Sequence, residues 1–326
     1  MTQVSFYVKA GSETGFGHIV RSLALAAELT ARGCECAFYS NATGKDRARA
    51  GGYDAYALDA AGLDLPDVWV VDLEGGCPPS LATALKEQCD VLVILNGVGY
   101  KDGDPGRLVA DLVFYQGCTM RPHNLDWTGF AGEWFEGAEW LILRKEFQEE
   151  RARWKPTFSP PGIVIAGGGS DPKDVTRRML EILKNSDFYL SAIIGPANER
   201  DYSHYGNKAA LQFAPDNMAR ALSGGDIAIV SYGMTAFECL ALGIPTIALS
   251  ISPDHAASAQ LVQQRSGRAL RNLGTVEQVT GNSVYIAIDE MWRRHNILTD
   301  YARVFIDGRG AERVADKIIE KLEEVR

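Results

Sequence analysis

Ala10-Gly-Ser-Glu-Thr-Gly-Phe-Gly-His-Ile-Val-Arg21 is the stretch on which the fold reading turns. The residues just before it, from Val4, read as a buried strand. Those after it, Ile19 to Arg32, set Ile19, Leu23, Ala26 and Leu29 on one helical face. The stretch is therefore a strand-to-helix turn. Gly11, Gly15 and Gly17 let the backbone turn tightly and approach a ligand, and the free N–H groups opening the helix suit an anion. His18 stands at the helix start, where the dipole disfavours its charged form and a neutral imidazole can accept a proton. It reads as a general base. The competing reading is a histidine that caps the helix or packs under the loop, and Arg21 one turn later favours the first.

The same grammar continues outward from the turn. Glu35–Tyr39, Val68–Asp72, Val91–Asn96, Leu112–Tyr115 and Leu141–Leu143 are expected strands, Pro79–Gln88 a helix, and 41–52 a polar loop or helix. Apolar runs without strict alternation, separated by helices, predict a parallel sheet covered on both faces. Ligands bind at the carboxyl ends of such strands, which singles out Gly11 to His18, Asp72 with Glu74, and Asn96 to Tyr100. Asp72 either orients or charge-pairs with a group in the cleft, or is a helix N-cap or loop acid.

Residues 151–162, rich in proline and basic side chains, read as a linker, after which the pattern restarts. Strands are expected at Ile163–Ala166, Phe188–Ile194, Leu211–Phe213, Ile227–Ser231 and Thr246–Ile251. Helices are expected at Asp174–Leu183, Asn217–Leu222, from the Tyr232 turn to Leu242, at Ala256–Arg265, Asn282–His295 and Ala311–Val325. Gly243 is placed as a left-handed cap, with Pro245 as a stop. Two turns in this half, Gly167 to Ser170 (with Gly168 and Gly169) and Ser231 to Thr235 (with Gly233 and Met234), offer N–H groups and a hydroxyl at a helix N-terminus, as a diphosphate needs. Neither matches a P-loop or a dinucleotide fingerprint. Glu238, in an otherwise apolar helix, either accepts hydrogen bonds from a ribose diol or faces solvent. His255 lies at a strand exit within reach of a nucleotide. His123, His204 and His295 read as surface residues.

Bulk properties bound the rest. A chain of 326 residues suggests two domains. A net charge of −9 argues against nucleic acid or an anionic membrane surface as the main partner. No apolar run is long enough for a transmembrane helix, and a strand so near the start leaves no room for a signal peptide. The six cysteines, Cys34, Cys36, Cys77, Cys89, Cys118 and Cys239, show no C-x2-C spacing. They predict no zinc and no disulfides, and a cytoplasmic setting. The scattered histidines suggest no metal and no cofactor.

At this point the chain resembles a family. Thr14-Gly-Phe-Gly-His-Ile-Val-Arg-Ser-Leu-Ala-Leu-Ala26 closely resembles the signature of the PseG-type UDP-sugar hydrolases of pseudaminic acid biosynthesis and of spore-coat polysaccharide proteins of the SpsG kind. Trp140-Leu-Ile-Leu-Arg-Lys-Glu-Phe147, Ile165-Ala-Gly-Gly-Gly-Ser-Asp171 and the segment from Ile229 to Pro245 agree in order and spacing, and Ile306-Asp-Gly-Arg-Gly-Ala-Glu-Arg313 looks like the tail found in longer members. The segment from Ile229 to Pro245 is similar to the nucleotide-binding segment of MurG-like glycosyltransferases.

The resemblance implies a GT-B fold of two Rossmann-like, doubly wound α/β domains facing across a cleft. It implies domains at 1–152 and 160–305, with a helix over 306–326 packing back on the first. By the same resemblance the nucleotide sits on the second domain and His18 activates water for attack on an anomeric carbon. Glu238 binds ribose, and Ser231 to Thr235 lie near the diphosphate. Gly15, Gly17, Arg21, Asp72, Gly168, Gly169 and His255 complete the expected binding set. The implied activity is hydrolysis of a UDP-linked diacetamido-trideoxy sugar to free sugar and UDP, with water as acceptor. The chain departs from the family pattern at Asp72-Leu-Glu-Gly-Gly76, at Asn96-Gly97 and at Asp254-His255-Ala256, all where the sugar or base would lie. A glycosyltransferase using the same donor site, and a non-catalytic binding protein, are the alternatives.

Overall fold

The computed structural model describes residues 1–11, 16–61, 65–96, 106–116, 125–156 and 160–326. Gly15, His123, Cys118 and the residues after Asn96 up to Tyr100 lie outside them. The chain forms two compact units, Met1–Arg144 with Gly308–Arg326, and Lys145–Asp307.

The first unit runs β1 (Gln3–Val8), α1 (Gly17–Ala31), β2 (Glu35–Ser40), α2 (Ala42–Ala50), β3 (Asp54–Ala57), β4 (Val68–Asp72), α3 (Pro79–Lys86), β5 (Val91–Asn96), β6 (Leu112–Gln116) and β7 (Glu133–Gly137). Its seven strands are parallel in the order β3-β2-β1-β4-β5-β6-β7. The strand order reverses beside β1, whose Val8 lies opposite Asp72 of β4. That is the switch point at which doubly wound sheets hold ligands. Both faces are covered, as the unbroken apolar strands require. Phe6, Val8, Val70, Val93 and Phe114 pack under α1 on one face, and Trp69, Val71, Leu92, Ile94 and Val113 pack with Leu85 of α3 on the other.

The helix Gly310–Val325 returns to this unit and inserts Ala311, Val314, Ile318 and Leu322 into the core beside α1. Burying two side chains the size of Ile318 and Leu322 contributes about 1.5–3 kcal/mol each. Arg32 at the end of α1 adds an ion pair to Asp316 at 2.8 Å.

The second unit runs α4 (Lys145–Arg153), β8 (Gly162–Ala166), α5 (Val175–Leu183), β9 (Tyr189–Ile194), β10 (Ala209–Phe213), α6 (Met218–Leu222), β11 (Ile227–Ser231), α7 (Met234–Leu242), β12 (Thr246–Ser250), α8 (Pro253–Arg265), β13 (Leu270–Thr275), α9 (Gly281–Arg293) and α10 (His295–Phe305). Its sheet order, β10-β9-β8-β11-β12-β13, repeats the pattern of the first unit, with the switch between β8 and β11. Gly243 ends α7 at φ +93°, the left-handed cap expected from its place before Ile244-Pro245.

The structure corrects several expectations. Leu141–Leu143 is buried but is not a strand. The Ile142 amide donates to Gln116 Oε1 at 3.1 Å, that of Leu141 to Ala138, and the backbone of Gly310 abuts Leu141. The seventh strand is Glu133–Gly137 instead, an edge strand. The expected linker at 151–162 starts too early and the first unit closes at Arg144 rather than near 152, because α4 packs on α6 and α7. Within the second unit Arg151 donates to the carbonyls of Ala241, Arg303 and Ile306. His295 is buried, not at the surface, and its Nε2 lies 2.8 Å from the Asp226 carbonyl.

Candidate active site

The N-terminal turn of α1 puts His18 and Arg21 on the same face of the helix, three residues apart. That face looks onto the end of β4. Asp72, the last residue of β4, is fully buried. Its Oδ1 lies 2.7 Å from His18 Nδ1 and also accepts from Arg21 Nη2, and its Oδ2 accepts from Arg21 Nε at 2.5 Å. Ser22 Oγ stands 3.4 Å from Oδ2. Arg21 is only 4% exposed, whereas the His18 side chain keeps 14% of its surface open. Burial alone would push the Asp72 carboxyl up. The Arg21 guanidinium and His18 outweigh it and hold Asp72 below the usual carboxylate range.

Nδ1 of His18 has the Asp72 carboxylate at 2.7 Å and Arg21 Nη2 at 3.1 Å. A guanidinium only donates and a carboxylate only accepts. An unprotonated Nδ1 would set its lone pair against Oδ1 at the shorter of the two distances. The tautomer assigned by this geometry is therefore Nδ1–H, which leaves the lone pair on Nε2.

The backbone leading into the turn is strapped to the neighbouring strand. Ser40 Oγ donates to the Val8 carbonyl at 2.6 Å. The Asn41 amide takes both sides of Ala10, accepting from its N–H at 3.1 Å and donating to its carbonyl at 2.7 Å. Asn41 also caps α2 through the Gly44 amide. Sequence reasoning passed over Asn41 and Ser22. A polar pair directly after an apolar strand was the available signal for the first.

In the second unit the two glycine turns differ. Asp171, 1% exposed and at φ +47°, accepts from the Val175 and Thr176 amides at 2.7 and 2.9 Å. Its own carboxylate thus occupies the start of α5, and these two amides are not offered to a phosphate. Gly168 (φ +94°) and Gly169 still leave open space where a side chain would stand. Their carbonyls press on Gly195, where a Cβ would fall 2.3 and 2.4 Å from them. The turn after β11 is different. Gly233 precedes α7, no side chain among the described residues caps that helix, and nothing lies where a Gly233 side chain would project. The N–H groups at Met234 and Thr235 are therefore the better-placed donors of the two turns.

Glu238, one turn into α7, is 7% exposed and so does not face solvent. Burial and then the Glu238 charge push the Cys239 thiol well above its usual range. His255 opens α8 with its amide on Ser252 Oγ at 3.3 Å, and its ring meets that of Tyr232 edge-on at 6.3 Å. Its buried Nδ1 has no hydrogen-bond partner among the described residues. No group of three His, Cys, Asp or Glu among the described residues is arranged to hold a metal ion. No helix among them is long and apolar enough to cross a membrane.

No protein-family profile matches the chain. It is 27% identical over 271 residues to the protein MJ1062 of Methanocaldococcus jannaschii, covering 76% of this chain but only 55% of that protein. It is 25% identical over 345 aligned positions to the spore coat polysaccharide biosynthesis protein SpsG of Bacillus subtilis, covering 95% of this chain and 96% of SpsG. Among solved structures, MurG of Acinetobacter baumannii superposes with a TM-score of 0.65 at 17% identity, covering 98% of this chain and all of that one. The two parallel sheets, of seven and six strands, thus have the GT-B fold of glycosyltransferases such as MurG.

Proposed function

We propose that the chain is a nucleotide-sugar hydrolase that releases free sugar and UDP from a UDP-linked diacetamido-trideoxy sugar, in nonulosonic acid or surface polysaccharide biosynthesis. The observation that carries the reading is the His18–Asp72 pair at the switch point of the first sheet, with Nε2 of a partly exposed imidazole left as the base. A water oxygen bonds to the anomeric carbon as the bond from that carbon to the diphosphate oxygen breaks. UDP leaves with the electron pair, and the water proton passes to His18 Nε2 and then to solvent. Such base catalysis is worth about 10²–10⁴ in rate. A nucleoside diphosphate leaves as a stable anion, so no second carboxylate is needed to protonate it, unlike an ordinary glycoside. The leaving charge needs donors. The uncapped start of α7, with Ser231, Gly233, Met234 and Thr235, supplies them, Glu238 takes the ribose, and His255 at the start of α8 stands beside the nucleotide.

The second reading is a glycosyltransferase, in which His18 takes the proton of an acceptor hydroxyl instead of water. It is favoured by solved structures of the same fold that are glycosyltransferases by name, the calicheamicin glycosyltransferase CalG4 among them. The test is UDP release from a panel of UDP-amino sugars with no acceptor present, for the natural chain and His18→Ala. Turnover that collapses in the variant supports hydrolysis. Binding of UDP without turnover transfers the weight to the glycosyltransferase, and absence of UDP binding removes the nucleotide assignment.

A further inference from the structure

Arg21 stands where a substrate ligand is expected, one turn after the glycine-rich stretch, yet its described contacts run into the protein. Nε and Nη2 both go to Asp72, and the side chain is almost fully enclosed. Asp72 in turn is surrounded. Oδ1 has His18 Nδ1 and Arg21 Nη2, and Oδ2 has Arg21 Nε and Ser22 Oγ. A carboxylate has about four acceptor positions, so none is left for a substrate hydroxyl or for an added proton.

We propose that Arg21 is a positioning residue that acts through Asp72. Its two-pronged guanidinium contact holds the carboxylate ionised and in one orientation, so that Oδ1 always meets Nδ1–H and the lone pair of His18 stays on Nε2. This deepens the reading of His18 as the base and rests on it. A bidentate fork fixes both oxygens of a carboxylate, whereas a single donor leaves it free to swing. If Oδ1 swings away, Nδ1–H loses its acceptor and the proton is shared between Nδ1 and Nε2, the second position being the wrong tautomer for a base. The guanidinium has two effects of opposite value, one through the carboxylate and one directly on Nδ1, and the carboxylate contact is the shorter.

The experiment is nitrogen NMR of the histidine-labelled full chain, with the His18 signals identified by their loss in His18→Gln. It is run for the natural chain, Arg21→Gln and Arg21→Lys, alongside kcat, KM and UDP affinity. The natural chain is expected to show a protonated Nδ1 and a bare Nε2. In Arg21→Gln the two signals average toward a tautomer mixture and kcat falls about 100-fold, while KM and UDP affinity stay within about twofold. Arg21→Lys, with one donor in place of a fork, falls between. UDP affinity or KM worsening about tenfold at unchanged kcat overturns the proposal and makes Arg21 a ligand. So does an unmixed Nδ1–H tautomer in both variants. If Arg21→Gln does not fold, the tautomer in Arg21→Lys decides alone. The NMR arm needs no turnover, so a natural chain with the Nδ1–H signature and no UDP release sinks the hydrolase reading and leaves this one standing.

Discussion

Asp72→Asn keeps the shape of the buried carboxyl and removes its charge. The Arg21 side chain beside it is 5% exposed and Asp72 fully enclosed, so the cation loses its counter-ion in a place water does not reach. Removing one partner of a buried pair costs about 3–5 kcal/mol. The amide oxygen still accepts one hydrogen bond, which puts the expected loss near the lower figure, about 3 kcal/mol. In a unit of this size each kcal/mol moves the melting temperature by about 2–4 °C, so the first unit should melt roughly 6–12 °C lower at pH 7. When the amide N–H faces Nδ1, His18 is turned to the Nε2–H form and turnover falls about 10³–10⁴-fold. Calorimetric melting and UDP release read the two effects separately. The double variant Arg21→Met with Asp72→Leu separates them further. A buried pair replaced by apolar side chains is often close to neutral in stability, so the melt should recover while turnover does not. A melting shift under about 2 °C in Asp72→Asn with turnover nearly intact would refute the reasoning.

Three further outcomes are expected. Asp72 is held below the ordinary carboxylate range in the folded chain, so its stabilisation is complete above the unfolded value of about 4 and is lost as pH falls through the lower folded value; an acid titration of the fold should be steeper below about pH 4 for the natural chain than for Asp72→Asn. Asn41→Ala removes two hydrogen bonds to Ala10 and a helix cap, which should cost about 1.5–3 kcal/mol in urea unfolding. Gly195→Ala forces a methyl against the Gly168 and Gly169 carbonyls; overpacking of about 1–3 kcal/mol should lower the urea midpoint of unfolding, with the His18 tautomer unchanged.

The start of α1 at Gly17, both sheets and the left-handed cap at Gly243 were legible because each follows from local rules: a continuous apolar run, histidine at a helix start, glycine where a helix ends. The long-range partners were not. Nothing in the order of residues says that the last residue of β4 meets a side chain 51 positions earlier; Asp72 and Arg21 looked like two separate ligands, and only parallel pairing of β1 with β4 brings them together. Edge strands were lost for a related reason. β3 (DAYA), β7 (EWFEG) and β13 (LRNLGT) carry polar or glycine residues among the apolar ones. The buried run Leu141–Leu143 read as a strand because apolar character reports burial and not pairing. His295 was misplaced because its neighbours in sequence are polar, while its partner is a carbonyl 69 positions away.

The helix Gly310–Val325 belongs to the first unit although the whole second unit precedes it in the chain. During synthesis the first sheet and α1 are made early, with the apolar seat for Ala311, Val314, Ile318 and Leu322 still empty, and 163 residues of another unit must pass before it is filled. For that interval the nascent chain carries an open hydrophobic face of the kind that chaperones bind and that aggregates grow from. Timing of translation across Lys145–Asp307 therefore governs how long the earlier half waits unfinished.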